Sequence, residues 1–342
     1  MSTPAFTPHD FWLRSYELAI ALNTGKTILI SSDDQEPNAL RFTFDVKMQV
    51  GLPLGWAEIS IYNLDPNIMN EVIHPGSGIV LQAGYATGSH KMATIFQGKV
   101  FQPMWTRENV VDYKLTLRCF AGNAKNFVDT NFPRLQTEAD LVNLMARTAQ
   151  NQMHVGHLDP ILSQTKLSRG GVLLGDPNQI LGDIASGHGL VAWVDPTSGI
   201  NIVDLGNLAS GGALTPTHDP YAPPIPPGSD QKAKTGTDYC IIGTPQQTWE
   251  GVNFDVLLDP SLTIKYPPDV VKLDMSSTTI DLLPLSQPFG NDSQGFIPPP
   301  TVSGNYIVAG IRHYGDTRGN PWYSEITGVT QNGLLLAMGK PQ

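Results

Sequence analysis

The sequence predicts a mainly β chain with a smaller α/β part: two β-barrel domains flank a small α/β domain. Three observations lead there. From Leu40 to Val50 apolar residues take every second position, with Arg41, Thr43, Asp45, Lys47 and Gln49 between them. The 33 glycines and 28 prolines in 342 residues suit many short strands joined by turns better than long helices. Beyond Phe127 the period changes, and helix-start signals replace alternation.

The Leu40 to Val50 run keeps strict period two over its whole length. At about 3.4 Å per residue it would reach roughly 37 Å, twice an ordinary strand, with one apolar and one wet face. The same pattern returns at Val111, Tyr113, Leu115, Leu117 and Cys119. Shorter candidates run from Tyr16 to Leu22, Lys26 to Ser31, Trp56 to Leu64, Ile79 to Tyr85 and Ala93 to Phe101. So many strands with one short helix indicate a closed or nearly closed barrel or sandwich over residues 1–126. For the helix, Asp65 serves as cap, Pro66 fits the first turn, and Ile68, Met69, Val72 and Ile73 form the apolar stripe before His74-Pro75-Gly76.

Residues 127–208 read as the α/β domain. Thr137 and Asp140 make a capping-box pattern ahead of a helix from about Glu138 to Gln150. Asp176, Pro177 and Gln179 start a second, stopped by Gly187-His188-Gly189. Leu190 to Val194 and Ile200 to Leu205 form a hairpin. A Pro-rich linker at 213–230 opens residues 209–342, the second barrel, with strands at Tyr239 to Ile242, Gly251 to Leu258, Val270 to Leu273, Asn305 to His313 and Trp322 to Thr330 and a loop over 290–305.

Charge excludes some functions. A net charge of −10 and a pI near 5.2 argue against gripping nucleic acid through its phosphates. No window approaches the roughly 18 apolar residues of a membrane span, and Met1 to Glu17 lacks the pattern of a secretion signal, so no membrane anchor is expected and the chain is expected to stay in the cytoplasm until assembly. Cys119 and Cys240 lie in β-like runs and read as buried thiols.

The search for site chemistry yields little. Gly25-Lys26-Thr27 lacks the earlier glycine of a phosphate loop, since Ile20 stands there, and reads as a hairpin turn. None of the eight histidines falls in metal-ligand spacing, so neither metal nor cofactor is expected. His188 between two glycines either exposes an imidazole for acid-base work or marks a helix end. Arg312, His313, Asp316 and Arg318 lie close together, as a dyad or as a charged hairpin tip; the turn residues from Gly315 to Pro321 favour an exposed loop carrying His313, Asp316 and Arg318. No enzyme signature emerges.

Several segments resemble a known family. The run from Ala57 to Gly88, AEISIYNLDPNIMNEVIHPGSGIVLQAGYATG, followed by IFQGKV, is similar to the first domain of phage tail baseplate hub proteins. Residues 241–262 and 304–329 are similar to the second barrel of that family, so the resemblance spans about Ser15 to Thr330. It implies two tail-tube-like barrels per chain and a homotrimer that presents six similar barrels to a hexameric tail tube. It also implies a virion location in the tail baseplate and four neighbours: a tail tube or distal tail protein, a central spike or tail-tip protein, a tape measure protein, and DNA passing through without specific binding. Arg41, Thr43, Asp45, Lys47 and Gln49 then line the lumen or an interface, and an acidic lumen would not hold DNA. No lysozyme or peptidase signature is appended. Two other readings compete: a glycan-binding or glycan-cleaving β protein, with Trp105, Trp193 and Trp322 as sugar platforms, and a type VI secretion spike hub component.

Overall fold

The computed structural model describes residues 13–22, 25–31, 40–50, 55–72, 76–86, 92–121, 128–134, 136–148, 154–195, 199–204, 213–216, 238–239, 241–247, 251–264, 270–273 and 304–329. The chain is mainly β with a few short helices. Cys240, residues 217–230 of the Pro-rich linker and residues 290–303 of the expected loop lie outside the described residues, whereas Ala213–Pro216 at the start of that linker form a paired strand and not a linker.

The first seven strands are β1 (Arg14–Ala21), β2 (Thr27–Ser31), β3 (Phe42–Gln49), β4 (Trp56–Tyr62), β5 (Gly78–Tyr85), β6 (Ala93–Arg107) and β7 (Tyr113–Ala121), with helix α1 (Pro66–Val72) after β4. They pair antiparallel in the order β2-β1-β5-β6-β7-β4-β3. Alternation works as expected in β3: Phe42, Phe44, Val46 and Met48 are buried, while Lys47 and Gln49 are exposed and Thr43 and Asp45 half-buried. The β1–β2 hairpin stands where the phosphate-loop pattern failed, and Gly25 takes a φ of 83° that its lack of Cβ permits. Asp65 caps α1 by accepting from the Asn67 N–H at 2.7 Å. Ile68 departs from its expected place and is exposed, so Met69 carries the packing instead.

The middle of the chain contributes β8 (Val128–Phe132), α2 (Glu138–Thr148), β9 (Val155–Leu158), α3 (Pro160–Gln164), β10 (Gly171–Gly175), α4 (Pro177–Gly187), β11 (Val191–Asp195) and β12 (Gly199–Val203). The capping box is real: Thr137 Oγ1 and N–H both donate to Asp140, whose own N–H donates back to Thr137 Oγ1 at 3.1 Å. The β11–β12 hairpin forms as predicted, and β9 joins it in parallel. Strands β8 to β10 and helix α3 were not anticipated, because four- and five-residue elements hold too few residues to display a period. Trp193 leaves this unit to pack in the next core, its Nε1 donating to the Ile264 carbonyl at 3.1 Å.

The last strands are β13 (Ala213–Pro216), β14 (Asp238–Tyr239), β15 (Ile241–Gln247), β16 (Gly251–Leu257), β17 (Val270–Leu273), β18 (Gly304–Asp316) and β19 (Trp322–Val329). Their order contains a duplication. Strands β15-β16-β19-β18-β17 repeat β3-β4-β7-β6-β5, all antiparallel. In both copies the long fourth strand of the chain order shifts register at the same place: Phe101 bulges between Val100 and Gln102 in β6, and Ala309 between Val308 and Gly310 in β18. In both, the second strand runs into Leu-Asp-Pro, Leu64 to Pro66 and Leu258 to Pro260, and the Asp Oδ1 accepts the N–H two residues on. Asn63, at φ 56°, is one extra residue in the first copy.

The copies are joined edge to edge. Strand β3 pairs antiparallel with the C-terminal half of β18, from Gln49 opposite Gly310 to Thr43 opposite Asp316, so that both belong to one 14-stranded sheet. Among the described residues β2 does not pair with β3, and the pairing closes neither expected barrel. The reason is that the edge of β3 is occupied by β18. Side chains cross the joint as well: Trp322 is wholly buried in the first core, edge-on to Phe44 at 5.1 Å, and its Nε1 donates to the Gly84 carbonyl at 3.2 Å. Met48 of β3 is buried in the second core.

Candidate functional site

The wet residues expected on β3 lie on the open face of the sheet, where the joint turns them toward partners of the same chain. Arg312 on β18 reaches Asp45 with two bonds, Nε to Oδ1 at 2.8 Å and Nη2 to Oδ2 at 2.6 Å, and Glu325 on β19 with Nη1 at 3.2 Å. Arg41 pairs with Asp316 at 2.9 Å and lies 4.4 Å from the Tyr62 ring centre. Further along, Arg118 meets Glu58 at 3.2 Å. Bases thus answer acids across this face, and Lys47 and Lys114 add positive charge. The face is therefore mixed in sign, whereas the chain as a whole carries a net charge of −10.

A shallow open depression of about 280 Å³ occupies the middle of the face, lined among others by Thr43, Asp45, Glu58, Lys114, Arg312 and Tyr314. Hydrogen bonding to Asp45 raises the Arg312 pKa further above its ordinary range, and bonding to Asp316 does the same for Arg41. Burial works against the Asp316 carboxylate, but Arg41 and the N–H groups of Arg318 and Gly319 outweigh it and hold its pKa below the usual value. Burial and the neighbouring Glu325 push Asp255 up against the Tyr314 hydrogen bond. The carboxylates lining the depression, Asp45, Glu58 and Asp316, are each paired with an arginine, which suits contact with a polar surface better than bond cleavage.

The predicted exposed loop needs correction. His313 is not at a hairpin tip: it lies inside β18 and is completely buried, because the strand continues three residues beyond it. The hydrogen bonds fix its tautomer. The Leu262 carbonyl can only accept, at 3.1 Å, so Nε2 carries the proton; Nδ1 therefore accepts from Ser324 Oγ at 2.8 Å, and that oxygen accepts the Asp259 N–H at 3.1 Å. Ser324 and Asp259 are buried too, so this Ser-His-Asp grouping has no access to a substrate. Arg318 is exposed as expected, and Asp316 is half-buried at the start of the turn. Arg14 pins that turn by donating to the carbonyls of Asp316, Gly319 and Asn320.

Other candidates settle simply. His188 ends α4 and binds Glu138 Oε2 at 2.5 Å, which ties α4 to the start of α2. Cys119 is buried, and burial pushes its thiol pKa far above the ordinary value. Trp193 and Trp322 are buried and cannot serve as sugar platforms, whereas Trp105 is exposed and stacks on Tyr113 at 5.4 Å. Among the described residues no cluster of metal-ligating side chains occurs, and no helix is long and apolar enough to cross a membrane. The roles of Arg14 and Arg312 were not read from sequence. The duplication leaves one trace in sequence, Leu-Asp-Pro after the second strand of each repeat, but the same tripeptide follows β9 at Leu158 to Pro160, so it does not single out the joint.

The overall fold has a counterpart among solved tail proteins. The chain is similar in fold to the 43 kDa tail protein of prophage MuSo2 from Shewanella oneidensis, with a TM-score of 0.51 and 9% identity over 94% of this chain and 98% of that one. A tail protein from Neisseria meningitidis MC58 matches at 0.48 and 10% identity, covering 92% of this chain and 96% of that one. An Escherichia coli component of the type VI secretion system matches at 0.46 and 10% identity, covering 86% and 75%. No protein-family model and no curated protein matches the sequence.

Proposed function

We propose that this chain is a structural baseplate hub subunit of a phage tail, located in the virion and assembled as a homotrimeric ring. The observation that carries this reading is the duplication within one chain. Three copies of a chain with two similar sheets offer six similar units in a closed ring, which reconciles a sixfold tail tube with a threefold central spike or tail tip. The division at 1–126, 127–208 and 209–342 then separates two tube-like domains and an α/β domain. Neighbours are a tail tube or distal tail protein, the spike or tail-tip protein and the tape measure protein. DNA passes the channel without specific binding, because on a face of mixed sign Asp316, Glu58 and Asp45 offset Arg41, Arg118 and Arg312.

Mass in solution together with electron microscopy of the purified chain tests this. A threefold ring with six similar lobes is expected, and a stable monomer that never enters a ring overturns it. The exposed Trp105 and Tyr113 stack favours a second reading, glycan binding. Saturable binding of a glycan, lost in Trp105→Ala, would support that reading instead.

A further inference from the structure

We propose that the outer edge of β6 from Gln102 to Arg107 is the docking site for β15 of a second copy of this chain, paired as β3 is paired with β18 within the chain. The proposal rests on the ring reading above and assigns its subunit contact. Its basis is the duplication: β3 is the first strand of one copy and β15 of the other, while β6 and β18 are the matching long strands. Inside the chain, β3 covers the edge of β18 beyond the part taken by β17. In the first copy, β5 pairs β6 only as far as Lys99, and among the described residues nothing pairs the edge from Gln102 onward.

Three matched positions say that this edge is built to be covered. Matching the two bulges and hairpin turns sets Phe101 against Ala309, Trp105 against His313 and Tyr113 against Trp322. The second member of each pair is buried, at 5%, 0% and 0%, at or beside the internal joint. The first members are 56%, 52% and 38% exposed, and all are aromatic. Scattered exposed apolar residues need no explanation, but three exposed aromatics together on β6 and β7 do, at positions buried in the other repeat, one of which, Trp322, packs on Phe44 of the joining strand. The free edge also keeps donors. Glu108 N–H bonds back to Asp112 within the hairpin, so by alternation the N–H groups of Trp105 and Arg107 point outward; Pro103, two residues before Trp105, offers only its carbonyl.

The internal joint fixes the register. Asp45 faces Tyr314, and the hydrogen bonds from Thr317 to Phe42 and from Val50 to Ala309 place that pair at a non-hydrogen-bonded position. Asp45 corresponds to Gln246 through the matched ladders, and Tyr314 to Thr106, so Gln246 of one copy faces Thr106 of the next. Both side chains are exposed in the single chain. Each copy then gives one edge and receives one, which is the head-to-tail contact that closes a ring.

The test is Thr106→Cys with Gln246→Cys in the full chain carrying Cys240→Ser, oxidised and run without reductant. A non-hydrogen-bonded pair places Cα atoms about 4.5 Å apart, within disulfide range. The expected result is a covalent ladder ending in a closed species of three chains, absent from either single-cysteine control. A trimer by light scattering in which this pair does not cross-link overturns the joint and leaves the ring reading standing. A monomer at every concentration overturns both. In the otherwise native chain, Trp105→Glu is expected to raise the concentration for half-assembly by at least about 100-fold without altering the melting of the monomer. An unchanged trimer in that variant overturns the proposal, as does an unchanged trimer that has lost binding to a glycan.

Discussion

Arg312 holds Asp45 with both arms of its guanidinium, at 2.8 and 2.6 Å, across a sequence separation of 267 residues. The pair is half-exposed, so its energy is screened, yet its bidentate geometry and the second bond to Glu325 set it apart from ordinary surface pairs. Arg312→Met is expected to destabilise the chain by roughly 1–2 kcal/mol. Arg118→Met, which breaks the more exposed pair with Glu58, is expected to cost about 0.5 kcal/mol or less. Urea denaturation of the two variants gives the comparison, and equal losses would deny the joint any special role.

The two faces of β3 predict opposite responses to the same substitution. Gln49→Lys and Thr43→Lys place charge on the open face and should leave folding largely intact. Phe44→Lys places an unpaired charge between the first core and Trp322, at a cost of roughly 4 kcal/mol or more. Circular dichroism of the purified variants separates these outcomes.

His313 makes stability depend on pH in a definite direction. Burial lowers its pKa from 6.5 to about 4, so the unfolded chain takes up a proton that the folded chain refuses. Stability is therefore complete above pH 6.5 and falls as pH drops toward 4, by about 1.4 kcal/mol per unit at most. His313→Gln should be less stable than the parent at pH 7.5 and show a shallower loss between pH 6.5 and 5. Denaturation midpoints at those values check this, and parallel slopes would mean that His313 is not held neutral.

Gly315 is required by close packing rather than by an unusual backbone angle. A Cβ there would lie 2.6 Å from a Trp322 ring carbon and 2.7 Å from the Phe44 ring. Gly315→Ala should therefore cost roughly 1–3 kcal/mol by pushing the two rings apart. Thermal melting measures the loss, and an unchanged midpoint would show that the joint has slack.

Much of the fold was legible because it depends on neighbours in sequence. Period two in β3 and β7 placed Phe42, Phe44, Val46, Leu115 and Leu117 inward, since alternate side chains of any strand face opposite ways. The capping box at Thr137 and Asp140 and the Asp65 cap satisfy helix ends with residues two or three positions away, so the helices they begin could be read directly. The small elements β8, β9, β10 and α3 were lost because too few residues carry their pattern.

The candidate site was legible only as composition. Arg41, Thr43, Asp45, Lys47 and Gln49 were recognisable as a wet face, but Asp45 could not be assigned to Arg312, nor Arg41 to Asp316, from any local spacing. His313 was misplaced for the same reason. Turn residues after Gly315 suggested a tip, and nothing nearby in sequence reveals that Leu262 and Ser324 close over the imidazole.

By itself the sequence determined the alternating faces, the helix starts and the β-rich, acidic character of the chain, all of which follow from side-chain direction and short-range hydrogen bonding. Only the tertiary structure decided that β3 meets β18, which turned two sheets into one and a list of charged residues into ion pairs. Strand edges offer the same backbone donors and acceptors whatever their residues, so edge pairing is selected by packing over long range, here by Trp322 against Phe44 and by Met48 in the second core.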